Sequence, residues 1–343
     1  MYWLYFAILS VIVVLVGSRL SLMADSLANR FKLSRTWVGL LMLSVITSLP
    51  EASTTIGALV KAKSPDLALG NTFGSNVFNL TIIGFCDFMF RRGGILRRTD
   101  MRNGVAAACT LPVIGLMLLS LLYPWPMSFG PLNFGVGSVV VFVVALALFS
   151  YLQRFEASQL LEREGGALPG TADPSAEKGT GLLIMKFVFA SVIVVASGIL
   201  LAVTGKQLAD VYGLDRSFVG TLLLALATSL PEGVVGYTAV KMGSYDLVFG
   251  TIMGSNIFNI LLISFADFMY TPEALGVGNN LGWEHIFTGI MSLLSTALVL
   301  IVLLSKSSRP SRRRVAPESW ILVGLYLACI AGLYFGWFSR PGL

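Results

Sequence analysis

Glu51 and Glu232 each close the same pentapeptide inside an apolar stretch, Thr47-Ser48-Leu49-Pro50-Glu51 and Thr228-Ser229-Leu230-Pro231-Glu232. A carboxylate near a bilayer midplane costs about 3 kcal/mol or more, so such residues mark the paths of ions and substrates. A second motif follows each copy, Gly70-xxx-Gly74-Ser75-Asn76-Val77-Phe78-Asn79 and Gly250-xxx-Gly254-Ser255-Asn256-Ile257-Phe258-Asn259. Helical spacing puts Thr47 with Glu51, Thr228 with Glu232, Ser75 with Asn79 and Ser255 with Asn259 on shared faces, one turn apart. Four helices can then offer carboxylate, amide and hydroxyl oxygens at one depth. Pro50 and Pro231 lack the amide hydrogen that would bond the carbonyls of Ile46 and Ala227, which adds backbone oxygen to the set. Such a set suits Ca²⁺, which takes six to eight oxygens, and also Na⁺. No His or Cys cluster favours a softer metal.

Each feature has a plainer reading. Proline in a membrane helix is often only a kink. The paired glycines are small-xxx-small patterns suited to close helix packing. Ser75 and Ser255 can bond within their own helices. A structural ion pair would account for a single glutamate, but no basic residue stands at the same depth as either.

The elements that must position these groups are membrane helices. The chain is 55% hydrophobic and 12% charged, against about 25% charged in soluble proteins. Apolar runs long enough to cross a ~30 Å hydrocarbon core recur ten times, at 2–22, 37–61, 68–90, 103–122, 131–152, 181–205, 217–241, 247–270, 285–305 and 319–338. The first has neither a basic start nor a small-residue cleavage site and reads as a retained helix. The polar stretch 153–180 reads as a cytoplasmic linker between a first five-helix repeat, 1–152, and a second, 181–343.

Aligning residue 27 with residue 208 gives 13 identities over the 25 positions that end at the two glutamates. Five spans per half is an odd number, so the second copy enters the membrane from the opposite side. Inverted repeats of this kind place binding sites at the midplane, between the halves. The expected class is an all-α polytopic membrane protein whose ten transmembrane helices form two inverted five-helix repeats. Seventeen Lys and Arg fall in one set of loops and five in the other. The rich side should be cytoplasmic, with both termini outside. The net charge of +6 then needs anionic lipid, not nucleic acid.

Cys86, Cys109 and Cys329 read as packing residues with neither disulfide nor metal. His285 stands alone at a helix start and makes a poor metal ligand. Asp87 and Asp267, in the repeated Phe85-Cys86-Asp87-Phe88-Met89 and Phe265-Ala266-Asp267-Phe268-Met269, read as interfacial acids. Asp87 has Arg91 one turn on, and a part in ion entry is the other reading. Asp66 and Asp246 fit N-caps.

The two motif pairs closely resemble the alpha-repeats of the sodium/calcium exchanger family, the cation/calcium antiporters, over roughly 33–90 and 214–270. The resemblance implies that Glu51, Glu232, Asn79 and Asn259 coordinate the transported cations. It adds oxygens from Thr47, Ser48, Thr228, Ser229, Ser75 and Ser255. Many members carry an aspartate at one of the two positions held here by Asn79 and Asn259. Potassium-dependent members favour an acidic residue there, so potassium cotransport is not expected. The implied activity is secondary antiport of Ca²⁺ for Na⁺ by alternating access across the cell membrane, that of a prokaryotic plasma or inner membrane. Ca²⁺/H⁺ antiport is the alternative, and a cation channel a more distant one. Ca²⁺, Na⁺ or H⁺ and the bilayer are the expected partners, the functional unit is a monomer, and no cofactor is expected beyond the transported ions. An intramembrane hydrolase would need H-E-x-x-H or G-x-S-x-G, and neither is present, so the chain is not expected to be an enzyme.

Overall fold

The computed structural model describes residues 1–31, 44–90, 94–123, 126–129, 132–163, 180–243, 245–268, 282–305 and 315–336. Helix α1 spans Tyr2–Arg30, α2 Leu49–Val60, α3 Pro65–Phe90, α4 Gly104–Leu122 and α5 Val136–Arg163. In the second half α6 spans Thr180–Tyr212, α7 Arg216–Lys241, α8 Tyr245–Asp267, α9 Trp283–Leu304 and α10 Pro317–Tyr334. Among the described residues nine of these are long and apolar enough to cross a bilayer. The remaining span, expected at 37–61, is described only from Ser44 onward. The architecture is an all-α polytopic membrane protein built from two inverted five-helix repeats. The helices carrying the Gly-Ser-Asn motifs, α3 and α8, are the most enclosed.

Two local departures have simple causes. Between α4 and α5, Pro126–Phe129 pairs antiparallel with Leu132–Gly135, Pro126 opposite Gly135. The span expected from 131 therefore begins at Val136. The sequence here is dense in proline and glycine, which disfavour helix. At its other end α5 continues through Arg163, past the expected boundary at 152, because good helix formers fill that segment and Leu152 and Ala157 are buried. The remainder of the expected linker, 164–179, lies outside the described residues.

Close packing explains one glycine pair and not the other. A Cβ at Gly70 would stand 2.8 Å from the Ser217 carbonyl oxygen, and one at Gly74 2.6 Å from the Cα of Thr221. Here α3 meets α7 backbone to backbone. Across this contact α7 is widened into a π-helical segment, Val219–Leu224, a distortion that often accompanies functional sites. Gly250 and Gly254 instead face side chains of α5. A Cβ there would lie 2.9 Å from Oε1 of Glu156 and 3.6 Å from Nε2 of Gln153, respectively.

The repeated aspartates are fully buried, not interfacial. Asp87 accepts from the backbone N–H of Gly94 at 3.0 Å, from that of Ala316 at 2.8 Å and from the Ser319 hydroxyl at 2.9 Å. Arg91, its expected partner, lies outside the described residues. Asp267 accepts from the N–H of Gly135 at 2.9 Å. Each aspartate thus ends the third helix of one repeat and ties down the start of the fifth helix of the other. Asp66 and Asp246 also reach across helices. Asp66 Oδ1 is 3.0 Å from Nε2 of His285, which is 3.2 Å from the Ser217 hydroxyl. At the opposite face, Asp246 Oδ1 accepts from Asn103 Nδ2 and from the backbone N–H of Asp100, each at 2.7 Å. The three cysteines are buried and free.

Candidate cation site

Glu51 and Glu232 are each only 2% exposed. The helix bearing Glu51 is interrupted at Ser48, whose φ and ψ of −90° and 16° break the helical run. α2 restarts at Leu49 with Pro50 and Glu51 in its first turn. The carboxylate therefore sits at a helix N-terminus, the positive end of the backbone dipole. Pro231 lies inside α7 without an interruption, and the distortion in that helix is the π-helical segment about two turns earlier. The two prolines, matched in sequence, thus sit in two different local backbone settings.

Cross-repeat hydrogen bonds draw the motifs together. Ser229 Oγ donates to Glu51 Oε1 at 3.0 Å, and Ser48 Oγ to Ser255 Oγ at 3.1 Å. Asn79 Nδ2 donates to Asn256 Oδ1 and Asn259 Nδ2 to Asn76 Oδ1, both at 3.0 Å. The Nδ2 groups of Asn76 and Asn256 reach each other's backbone carbonyls at 3.3 and 3.2 Å. Four asparagines thus form a symmetric clasp between α3 and α8. It orients the carbonyl oxygens of Asn79 and Asn259 away from the donors it consumes.

The remaining candidates serve the edges. The Thr47 hydroxyl donates to the Ser44 carbonyl at 3.0 Å. Thr228 Oγ1 lies 3.1 Å from its own Leu224 carbonyl and 3.3 Å from Asn71 Oδ1, and Asn71 Nδ2 donates to Thr55 at 3.0 Å. Both threonine protons are spent within the protein, leaving lone pairs as their only further offer. Asn76, Asn256, Asn71 and Thr55 were not singled out from the sequence. Asn76 and Asn256 stand inside the repeated motif, and that duplication was the available signal.

Among the ligands expected from the sequence, six buried oxygens drawn from both repeats have no hydrogen-bond partner among the described residues: Glu51 Oε2, both Glu232 carboxylate oxygens, the Oδ1 atoms of Asn79 and Asn259, and Ser75 Oγ. No ion pair among the described residues involves Glu51 or Glu232. Leaving buried acceptors unsatisfied costs about 1–3 kcal/mol each and more for charge. A bare group of this composition has the hard-oxygen chemistry that suits a cation.

The model of the sodium/calcium exchanger protein family matches residues 1–160 and 181–335. The chain belongs to that family. Its curated relatives include the inner membrane protein YrbG of Escherichia coli strain K12, 23% identical over 324 residues and covering 94% of each chain. Among solved structures, the H⁺/Ca²⁺ exchanger CAX superposes with a TM-score of 0.63 at 14% identity, covering 98% of this chain and 88% of that one. The sodium-calcium exchanger NCX_Mj, soaked with Na⁺ and Ca²⁺, superposes with a TM-score of 0.59 at 21% identity, covering 97% and 98%. At these identities the two likenesses establish the shared family fold. The ten-helix, two-repeat architecture read from the motifs is the architecture of the family.

Proposed function

We propose that the protein exchanges Ca²⁺ for Na⁺ across the cell membrane by alternating access, with the cation held by Glu51, Glu232, Asn79 and Asn259. Oxygens of Thr47, Ser48, Ser75, Thr228, Ser229 and Ser255 complete the set. The observation that carries this reading is the group of unpartnered buried oxygens contributed by both repeats. Two carboxylates give a site of about −2 when ionised, which one Ca²⁺ or two Na⁺ neutralise. Hard oxygens without thiolate or imidazole select such ions over softer metals. Desolvated, uncompensated carboxylates resist crossing between the two faces, so an empty site does not switch exposure and leak is suppressed.

Helices α1 and α6, which carry no ligand, are the sliding pair in this reading. Residues 1–152 and 181–343 act as the two repeats, joined by a cytoplasmic linker, and both termini face outward, on the strength of the 17-to-5 distribution of basic residues. The membrane is a prokaryotic plasma or inner membrane, in keeping with the relative from Escherichia coli. All ligands come from one chain, which supports a monomeric functional unit. Ca²⁺/H⁺ antiport is the second reading, because paired carboxylates held among neutral amides can carry protons in place of Na⁺.

Radiolabelled Ca²⁺ uptake into proteoliposomes tests both. Uptake driven by an outward Na⁺ gradient supports the first reading, and uptake driven only by an outward H⁺ gradient supports the second. Single-channel currents, or uptake that needs no counter-ion, would overturn exchange altogether.

A further inference from the structure

We propose that Glu156 and Gln153 of α5 form a second cation site, a staging point for the partly hydrated cargo ion on the route from the arginine-rich face to the central site. The two residues are one helical turn apart and share a face. Gln153 is 1% exposed. Its Oε1, like Oε1 of Glu156, is buried without a hydrogen-bond partner among the described residues. Two unsatisfied acceptors side by side, one of them a carboxylate, call for a donor or a cation between them. Arg154, on the same helix, is exposed, two residues from Glu156 and so on another face of the helix.

The glycines of the second repeat make the room. Gly250 and Gly254 are also one turn apart; a Cβ at Gly250 would press on Glu156, and one at Gly254 would only touch Gln153. Gly250 precedes Ser255 by five residues, about 7 Å along the helix axis. Polar contacts connect the two sites. Gln153 Nε2 donates to Ser44 Oγ at 3.2 Å, the Thr47 hydroxyl donates to the Ser44 carbonyl at 3.0 Å, and Ser48 meets Ser255 at 3.1 Å.

In the sequence register that pairs Ser138 with Ser319, the positions matching Gln153 and Glu156 are Tyr334 and Trp337, which carry neither amide nor carboxylate. Staging therefore operates at one face only, and it gives the two faces different apparent affinities for the same ion. The identity of that ion rests on the exchange reading above; the existence of the site does not.

Two measurements test it. In oriented proteoliposomes, Glu156→Gln should raise the half-saturating Ca²⁺ concentration roughly three- to tenfold when Ca²⁺ is supplied at the arginine-rich face, the effect expected of one screened charge. The value at the opposite face should not move, and Glu156→Asp should restore most of the difference. An equal shift at both faces would mean a general disturbance of the central site, and no shift would mean no role; either overturns the proposal. Independently of transport, Tb³⁺ luminescence on the Glu51→Gln/Glu232→Gln protein should report a remaining weak site that adding Glu156→Gln removes. Absence of that weak site also overturns it. If wild-type protein carries no Ca²⁺ while the weak site persists, the exchange reading fails and the staging site stands.

Discussion

An asparagine at position 79 or 259 does what an aspartate cannot: its amide nitrogen holds a neighbour while its oxygen stays free. Asn259 donates to Asn76 Oδ1 and keeps its own Oδ1 unpartnered. Asn259→Asp would set two acceptors against each other at 3.0 Å and add a negative charge, so Ca²⁺ affinity changes even if Asn76 turns its amide to compensate. Asn259→Leu removes the oxygen and leaves the Asn76 carbonyl oxygen orphaned. It should weaken Ca²⁺ about tenfold or more, at about 1–3 kcal/mol for a lost buried partner. Calcium titrations of flux decide the matter, and an unchanged half-saturation in both variants removes Asn259 from the site. The glutamates carry the formal charge. Glu51→Gln and Glu232→Gln should each abolish exchange while purified protein keeps its wild-type elution profile, because the amide fits the space of the acid without its charge. Wild-type flux in either variant would end the assignment.

Among the elements, the crossed caps are the main feature that local sequence logic misses. Asp87 was matched with Arg91 by one-turn spacing, yet it caps the start of α10, which begins more than two hundred residues later in the chain. Spacing rules describe neighbours on one helix; they carry no information about which helix ends meet across an inverted pair. Asp87→Asn keeps the size but halves the acceptor capacity facing three donors. We expect it to lower stability by about 1–3 kcal/mol, read as a fall in thermal midpoint in detergent, with Ca²⁺ affinity unaltered. A fall in affinity at unaltered stability would instead give Asp87 the role in ion entry that its duplication also suggested. The asparagine clasp was missed for a related reason. Sorting residues by helix face places Asn76 off the Ser75–Asn79 stripe, and only the crossing of α3 over α8 shows it to be the partner of Asn259.

For the whole molecule, what was legible from sequence was what violates an otherwise uniform apolar pattern. Buried carboxylates, prolines and a twice-written motif stand out against lipid-compatible helix, and an odd span count fixes the inversion. Boundaries were harder. The 126–135 ribbon is apolar enough to pass for helix until its prolines are weighed, and 153–163 is polar enough to pass for linker although Gln153 and Ala157 are buried. That misreading hid Gln153 and Glu156. Orientation rests on the basic residues alone. A cysteine replacing Tyr2 should react with an impermeant reagent in intact cells, while one at Ala172 should be shielded. The opposite labelling would invert the assignment of the two faces, and with it the face at which Glu156 stages its ion.

Two glycines mark the contact between the first helices of the repeats and the motif-bearing helices. Gly17 on α1 and Gly198 on α6 stand 181 residues apart, the same offset as the glutamates. A Cβ at Gly17 would lie 3.1 Å from Cγ of Pro231 and 3.5 Å from Cγ of Pro50, and one at Gly198 2.9 Å from Cβ of Ser53. Here α1 and α6 present bare backbone to side chains of α2 and α7. In the proposed exchange cycle a methyl group at either position would act as a brake. Gly17→Ala should slow turnover with half-saturation nearly unchanged, and its turnover should climb more steeply with temperature than that of the wild type. An unchanged turnover would mean that this contact is never crossed during transport. If the exchange reading holds, these two positions that touch no ligand residue let pace be varied apart from affinity in the same protein.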